Sequence, residues 1–284
     1  MIQQSINLKK THNKKWFLSR QFLIIVISVV VTSVGIKAAD KISSSAPKIS
    51  GNGLCPEDMV QVLAAKGNFC IDKYEASVGE ECAHKSPGSE IDSRENLDNN
   101  SCAPISASGL TPWRYISQNQ ASLACARAGK RLPTNQEWQQ AALGTADISD
   151  NWSADDCQVA NNWSAQPGPT GSGSRCVSAS GAFDMVGNLW EWTDGTVYEG
   201  KFNEKILPDQ GYVKAINQDA LPSETGLAGD ESYYNDYLYL KKNGTRAIAR
   251  GGYWNNKEQA GVYSAYIVSL PSYAEAGIGF RCVK

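Results

Sequence analysis

Eight cysteines stand at 55, 70, 82, 102, 125, 157, 176 and 282, and every one lies beyond an N-terminal stretch that is first basic and then apolar. An even number of thiols in a segment that leaves the cytoplasm argues for disulfides. No close C-x-x-C pair occurs, so the pattern does not read as a zinc ribbon. Proximity along the chain pairs Cys55 with Cys70, Cys82 with Cys102, and Cys157 with Cys176. That leaves Cys125 for Cys282, a bridge from a helix to the last strand. Such a framework closes loops along the whole length of the domain and limits how far its two ends can separate.

The N-terminus carries Lys9, Lys10, Lys14, Lys15 and Arg20, then the charge-free run Phe22–Ile36. The run fits the apolar core of an export signal better than a full membrane span, which needs about 20 residues. Lys37-Ala38-Ala39 is only a loose cleavage signal, so residues 1–39 read either as a signal peptide or as an N-terminal signal anchor. In both cases the positive flank stays inside and the rest is extracytoplasmic, secreted or held at the membrane by this segment. Residues 40–54, rich in Ser and Gly, read as a linker, and 55–284 as the folded domain. That remainder is acidic: residues 40–284 hold 21 basic and 29 acidic side chains. Nucleic-acid binding needs a basic patch, and none is expected here.

Met59–Leu63 and Phe69–Tyr74 predict a strand hairpin. Residues 79–111 are polar and turn-rich. Ser117 begins a helix with a capping-box pattern that Gly129 ends, and Thr134 begins a second that Gly144 ends. Residues 145–180 read as loop, 195–245 as a long irregular insertion rich in Tyr, and 247–254, 261–268 and 278–283 as short strands. The class is α+β, with two helices and many short strands. Trp190, Trp192 and Trp254 are expected in the core, and Arg131 is expected to pair with Glu137.

Five segments give the chain its character: Phe69-Cys70-Ile71-Asp72-Lys73-Tyr74-Glu75, Gly129-Lys130-Arg131-Leu132-Pro133-Thr134, Gly181 to Trp192, Arg250-Gly251-Gly252-Tyr253-Trp254 and Gly279-Phe280-Arg281-Cys282. In this order they resemble the formylglycine-generating enzyme, or sulfatase-modifying factor, superfamily. The resemblance implies a C-type-lectin-like fold with little regular secondary structure. It also implies a structural calcium ion held by the Asp184 and Glu191 side chains and the Gly187 and Leu189 carbonyls, the oxygen donors a hard cation takes. On the residues alone, Asp184 and Glu191 read equally as a capping carboxylate and a surface acid.

The oxidases of this superfamily use two thiols, five residues apart, that bind copper. Here Asn256 and Gly261 occupy those positions, and no cysteine lies between 176 and 282. Neither residue can supply a thiolate, so no copper is expected and formylglycine generation on a sulfatase cysteine is disfavoured. Iron-dependent relatives need a histidine cluster, whereas this chain has only His12 and His84. No catalytic residue is assigned. The segment 250–281 also resembles the variable region of diversity-generating-retroelement proteins, in Gly251-Gly252, Trp254-Asn255-Asn256, Ala260-Gly261-Val262, Pro271-Ser272 and Ile278-Gly279-Phe280-Arg281. Large rigid aromatics with adaptable polar groups suit a recognition surface. The expected ligand-binding residues are Tyr253, Asn255, Asn256, Tyr263, Tyr266, Ser272 and Tyr273, and the expected partner is a protein or other surface ligand.

Overall fold

A computed structural model of the protein describes residues 55–284, apart from 66 and 149. The N-terminal segment and the linker lie outside the described residues. Two strands open the domain, β1 (Met59–Val62) and β2 (Phe69–Asp72), paired antiparallel from Met59↔Asp72 to Val62↔Phe69. β3 (Ser77–Val78) and β4 (Pro104–Ile105) form a second small ribbon.

Between them lies α1 (Glu90–Asp98), a helix inside the polar stretch expected to be turn-rich. Ser89 caps it by accepting from the Asp92 amide, and Glu90 and Asp92 favour its positive end. Its buried residues are Ser93, Asn96 and Leu97, two of them polar, so no apolar periodicity marked it. The other two helices follow their caps. α2 (Gln118–Arg127) starts at Ser117 and α3 (Asn135–Ala142) at Thr134, each with a full capping box.

The remaining strands join one nine-stranded sheet: β5 (Trp190–Tyr198), β6 (Lys201–Phe202), β7 (Lys205–Ile206), β8 (Gly211–Ile216), β9 (Pro222–Gly226), β10 (Tyr237–Leu240), β11 (Thr245–Arg250), β12 (Ala265–Ile267) and β13 (Ile278–Phe280). Its order is β7-β6-β5-β11-β12-β10-β8-β9, with β13 parallel to β5. Residues 195–245 are therefore sheet rather than irregular insertion. β5, β6 and β7 pair with their chain neighbours, as do β8 and β9, while β10 runs parallel to β12, Leu238 opposite Ala265. Parallel neighbours lie far apart in sequence, and a four-residue strand carries little signal by itself.

Trp113, Trp138 and Trp192 are fully buried, and Trp190 is nearly so. The four disulfides are Cys55–Cys70, Cys82–Cys102, Cys125–Cys282 and Cys157–Cys176. These are the pairs that proximity gave. Arg131 and Glu137 form the expected ion pair at 2.6 Å. Among the described residues no helix is long and apolar enough to cross a membrane.

Candidate functional site

β5 and β11 lie side by side, with Arg250 opposite Glu191 and Ala249 opposite Trp192. After β11 the chain turns through Gly251 and Gly252, at φ +93° and +92°. Only glycine takes that backbone readily. The turn sets Tyr253 to Asn256 over the end of the sheet, and β13 returns beside β5.

Beneath this turn lies a buried polar network. Arg281 is fully enclosed and donates to both oxygens of Glu191, from Nε at 2.9 and 2.7 Å and from Nη2 at 2.6 Å. Trp138 Nε1 donates to Glu191 Oε2 at 2.7 Å. Glu75, also fully buried, accepts from Asn188 Nδ2 at 2.5 Å and from the Leu189 amide at 3.1 Å. Burial, with Asp184 and Glu191 nearby, pushes the Glu75 carboxyl well above its usual range. Asp184 accepts from the Gly171 amide at 2.6 Å through Oδ2, its Oδ1 has no partner, and burial pushes it up to about 7.

This arrangement bears on the calcium expectation for Asp184, Gly187, Leu189 and Glu191. A calcium ion needs six to eight oxygen ligands, about six at the least. Both Glu191 oxygens already accept two hydrogen bonds each, and the Arg281 cation sits against them. Asp184 Oδ1 is buried without a partner. Among the described residues no three His, Cys, Asp or Glu side chains gather as a metal-binding group. Arg281 thus already places a positive charge at Glu191, the side chain through which the resemblance implies that calcium would bind.

Above the network opens a cavity of about 580 Å³, lined chiefly by Trp190, Tyr239, Tyr253, Trp254, Asn256 and Tyr266, with Asn255, Gln259 and Glu275 at its wall. Ring packing sets its floor. Trp190 meets Tyr239 edge-on at 5.9 Å and Tyr266 at 5.6 Å, and Tyr253 meets Trp254 edge-on at 5.1 Å. Tyr239 Oη donates to Gln259 Oε1 and accepts from Asn256 Nδ2 at 3.1 Å. Burial pushes the Tyr239 phenol up to about 12, so it stays neutral. Asn256 Oδ1 accepts from the Tyr253 amide at 2.9 Å, which closes the turn. Glu275 brings the one charged side chain in the lining, and Tyr273 Oη donates to its Oε2 at 2.7 Å. An anionic ligand would meet an unfavourable charge here.

Of the seven expected binding residues, the structure brings Tyr253, Asn255, Asn256 and Tyr266 together in this cavity. Tyr273 is exposed on the rim side, reaching the cavity through Glu275, and Ser272 is exposed beside it. Tyr263 lies elsewhere: it packs edge-on against Tyr233 at 5.1 Å and lines a separate groove of about 1080 Å³ with Arg131, Glu137 and Tyr233. Trp254 was expected in the core but is only half-buried, because its ring forms a cavity wall. Trp190, Tyr239, Gln259 and Glu275 were not expected as lining residues. The alternation Tyr237-Leu238-Tyr239-Leu240 reads as a strand with one aromatic face, but only the parallel β10–β12 pairing puts that face beside Trp190.

Gly261 has a different environment. A Cβ placed on it would lie 1.8 Å from Asp236 Oδ1 and 2.3 Å from Asp147 Oδ2. The space where the oxidases of the resembled superfamily hold their second thiol is filled by two carboxyl groups. All eight cysteines are in disulfides, and none is free.

Residues 47–284 match the Sulfatase-modifying factor enzyme 1-like domain. A hercynine oxygenase of Mycobacterium tuberculosis is 32% identical over 156 residues, which are 50% of this chain and 29% of that protein. An inactive C-alpha-formylglycine-generating enzyme 2 of Bos taurus is 35% identical over 124 residues, 38% of this chain and 41% of that protein. The chain thus spans well under half the length of these relatives. Among solved structures, the P3c variant of the Major Tropism Determinant aligns over 82% of this chain and 53% of its own, with 21% identity and a TM-score of 0.40. Because the domain match runs through most of the sequence, from residue 47 to Lys284 and across all five motifs, the chain belongs to the sulfatase-modifying factor family.

Proposed function

We propose that the protein is a non-catalytic, extracytoplasmic ligand-binding member of this family, exported or held at the membrane through its N-terminal segment. The observation that carries this reading is the state of positions 256 and 261. Asn256 is held by two hydrogen bonds, one from the Tyr253 amide within the turn and one to Tyr239 Oη on β10, and the space beside Gly261 is occupied by Asp147 and Asp236. No thiol pair can form there without rebuilding the scaffold. The aromatic cavity next to it offers large rigid surface at low entropic cost, which is what recognition requires. The four disulfides suit an oxidising compartment. The inactive bovine relative bears a name that agrees with this reading, whereas the hercynine oxygenase does not.

Two experiments test it. Purified protein with copper and a cysteine-bearing sulfatase peptide is expected to yield no formylglycine and to retain no copper. Turnover would establish the oxidase reading instead. In the second experiment, the domain is screened against arrayed glycans and surface proteins. A Tyr253→Ala/Trp254→Ala variant should lose capture of any hit by at least about tenfold, roughly 1.4 kcal/mol, with its melting temperature lowered by only a few degrees. A matching loss of stability would make these rings structural.

Putting the thiols back is a further check. Gly261→Cys is expected to destabilise the domain by about 1–3 kcal/mol through overpacking, and Asn256→Cys/Gly261→Cys should remain without oxidase activity. Activity from that variant would show that the cavity still holds the rest of an active site.

A further inference from the structure

The carboxyl groups over Gly261 come from two distant places. Asp147 follows α3, and Asp236 immediately precedes β10 in the part of the sheet that the sequence did not predict. Both are buried, Asp236 fully. Each is held at one end by the same turn. Asp147 Oδ2 accepts from the Val262 amide at 3.2 Å, and Asp236 Oδ2 accepts from the Tyr263 amide at 2.6 Å. At the other end, Oδ1 of each acid is buried without a hydrogen-bond partner. The two acids face each other across the space a side chain at 261 would fill.

Two ionised carboxylates so placed repel, and each loses its water. Arg250 is the cation that acts on Asp236, and it is committed elsewhere. It donates to the Ser264, Ala220 and Val262 carbonyls at 2.9, 2.8 and 3.1 Å. The other titratable groups facing the pair are the phenols of Tyr263, Tyr233 and Tyr234, which bring no positive charge. One positive charge balances one carboxylate. A single proton on the orphaned Asp236 Oδ1, which lies across the 261 space from Asp147 Oδ2, would then make the cluster neutral. A divalent ion would instead leave an excess buried positive charge, which is costly.

We propose that Asp147 and Asp236 hold one proton between their carboxyl groups, and that this proton clasps the 259–264 turn to the body of the domain. The turn carries Gln259 to the cavity wall, where it meets Tyr239 and Tyr212, and Ser264 Oγ donates back to the Gln259 carbonyl at 2.7 Å. Loss of the proton to solvent releases the turn and with it that side of the cavity. The device is a pH-sensitive latch in the place of a lost thiol. The latch itself does not depend on the ligand-binding reading; only its effect on the cavity does.

The direction of the effect follows from burial, which pushes Asp236 up to about 7 and Asp147 well above its usual value. Folded protein holds a proton that unfolded protein has already released, so the pair's contribution to stability is full below about pH 4 and is lost as pH rises from there through about 7. Glu75 and Asp184 shift the same way, so the test compares variants.

Asp147→Asn keeps an acceptor for the Val262 amide and offers a permanent N–H toward Asp236. Relative to Asp147→Asn, the wild type is expected to lose stability progressively as pH rises from about 4 to 7, leaving the variant the more stable at the upper end of that range. Opening of the turn, read by hydrogen exchange at the Val262 and Tyr263 amides of the wild type, should rise on the order of tenfold per pH unit beyond the intrinsic rate. In Asp147→Asn it should not. Parallel melting profiles, or wild-type exchange that tracks only the intrinsic rate, would overturn the proposal. So would calcium or magnesium that restores the wild type at pH 8 but not the variant, because the pair would then hold a metal ion. Should Asp147→Asn fail to fold, the wild-type exchange profile and the variant Asp236→Asn still decide it.

Discussion

Glu191→Ala is expected to cost the domain about 3–5 kcal/mol, because it leaves the Arg281 guanidinium buried without its counter-charge. Arg281 has no route to water: it is fully enclosed, and its other donors go to the Asp72 and Phe183 carbonyls at 3.1 and 2.7 Å. Trp138 loses its acceptor in the same step. For a domain of this size the loss corresponds to a fall in melting temperature on the order of 10 °C. Urea denaturation should show a lower midpoint with unchanged slope. Replacing both partners, Glu191→Met with Arg281→Met, should recover a good part of the loss, since apolar pairs of similar volume often do as well as buried ions. A cost below about 1 kcal/mol for Glu191→Ala would mean that Arg281 finds water or another acceptor.

Breaking Cys125–Cys282 is the second large effect. The bridge spans 157 residues between α2 and the segment just after β13. The chain-entropy account gives a closed loop of that length on the order of 5 kcal/mol, through restriction of the unfolded state. Cys125→Ser/Cys282→Ser should therefore unfold at clearly lower denaturant. Cys82→Ser/Cys102→Ser, which opens a separation of 20, should lose roughly 3 kcal/mol. Equal losses for the two pairs would put the stabilisation in local packing rather than in loop closure.

Much of the frame was legible because its signals are local. Ser117 with Gln120 and Thr134 with Glu137 are capping boxes readable four residues at a time, and both helices start where those residues place them. Proximity was enough for three disulfides, and the last two cysteines had only each other. The absence of thiols at 256 and 261 could be read directly from the chain. α1 was missed because a short helix that buries Ser93 and Asn96 shows no apolar stripe. β6, β7 and β9 were missed because they are two to five residues long with little apolar alternation, and β10 because its parallel partner β12 lies further along the chain.

The site divides in the same way. Tyr253, Asn255, Asn256 and Tyr266 sit on the returning turn and strand, so their clustering near Gly251-Gly252 was visible in the composition of that segment. Trp190, Tyr239 and Glu275 join them only because β5, β10 and the loop before β13 converge on one end of the sheet. Glu191 shows the limit of motif reading. Its place seven residues after Asp184 gave no sign of the guanidinium that pairs with it, Arg281, which lies 90 residues away at the end of β13.

By itself, the sequence determined the class of the fold, its disulfide framework, the two capped helices and the loss of the oxidase thiols. Each of these rests on residue identity or on neighbours close along the chain. Tertiary structure alone decided which tyrosines face the cavity, which charge answers Glu191, and that Asp147 and Asp236 meet over Gly261. Those outcomes depend on which distant strands pair, and pairing is settled by the burial of the whole sheet rather than by any one segment.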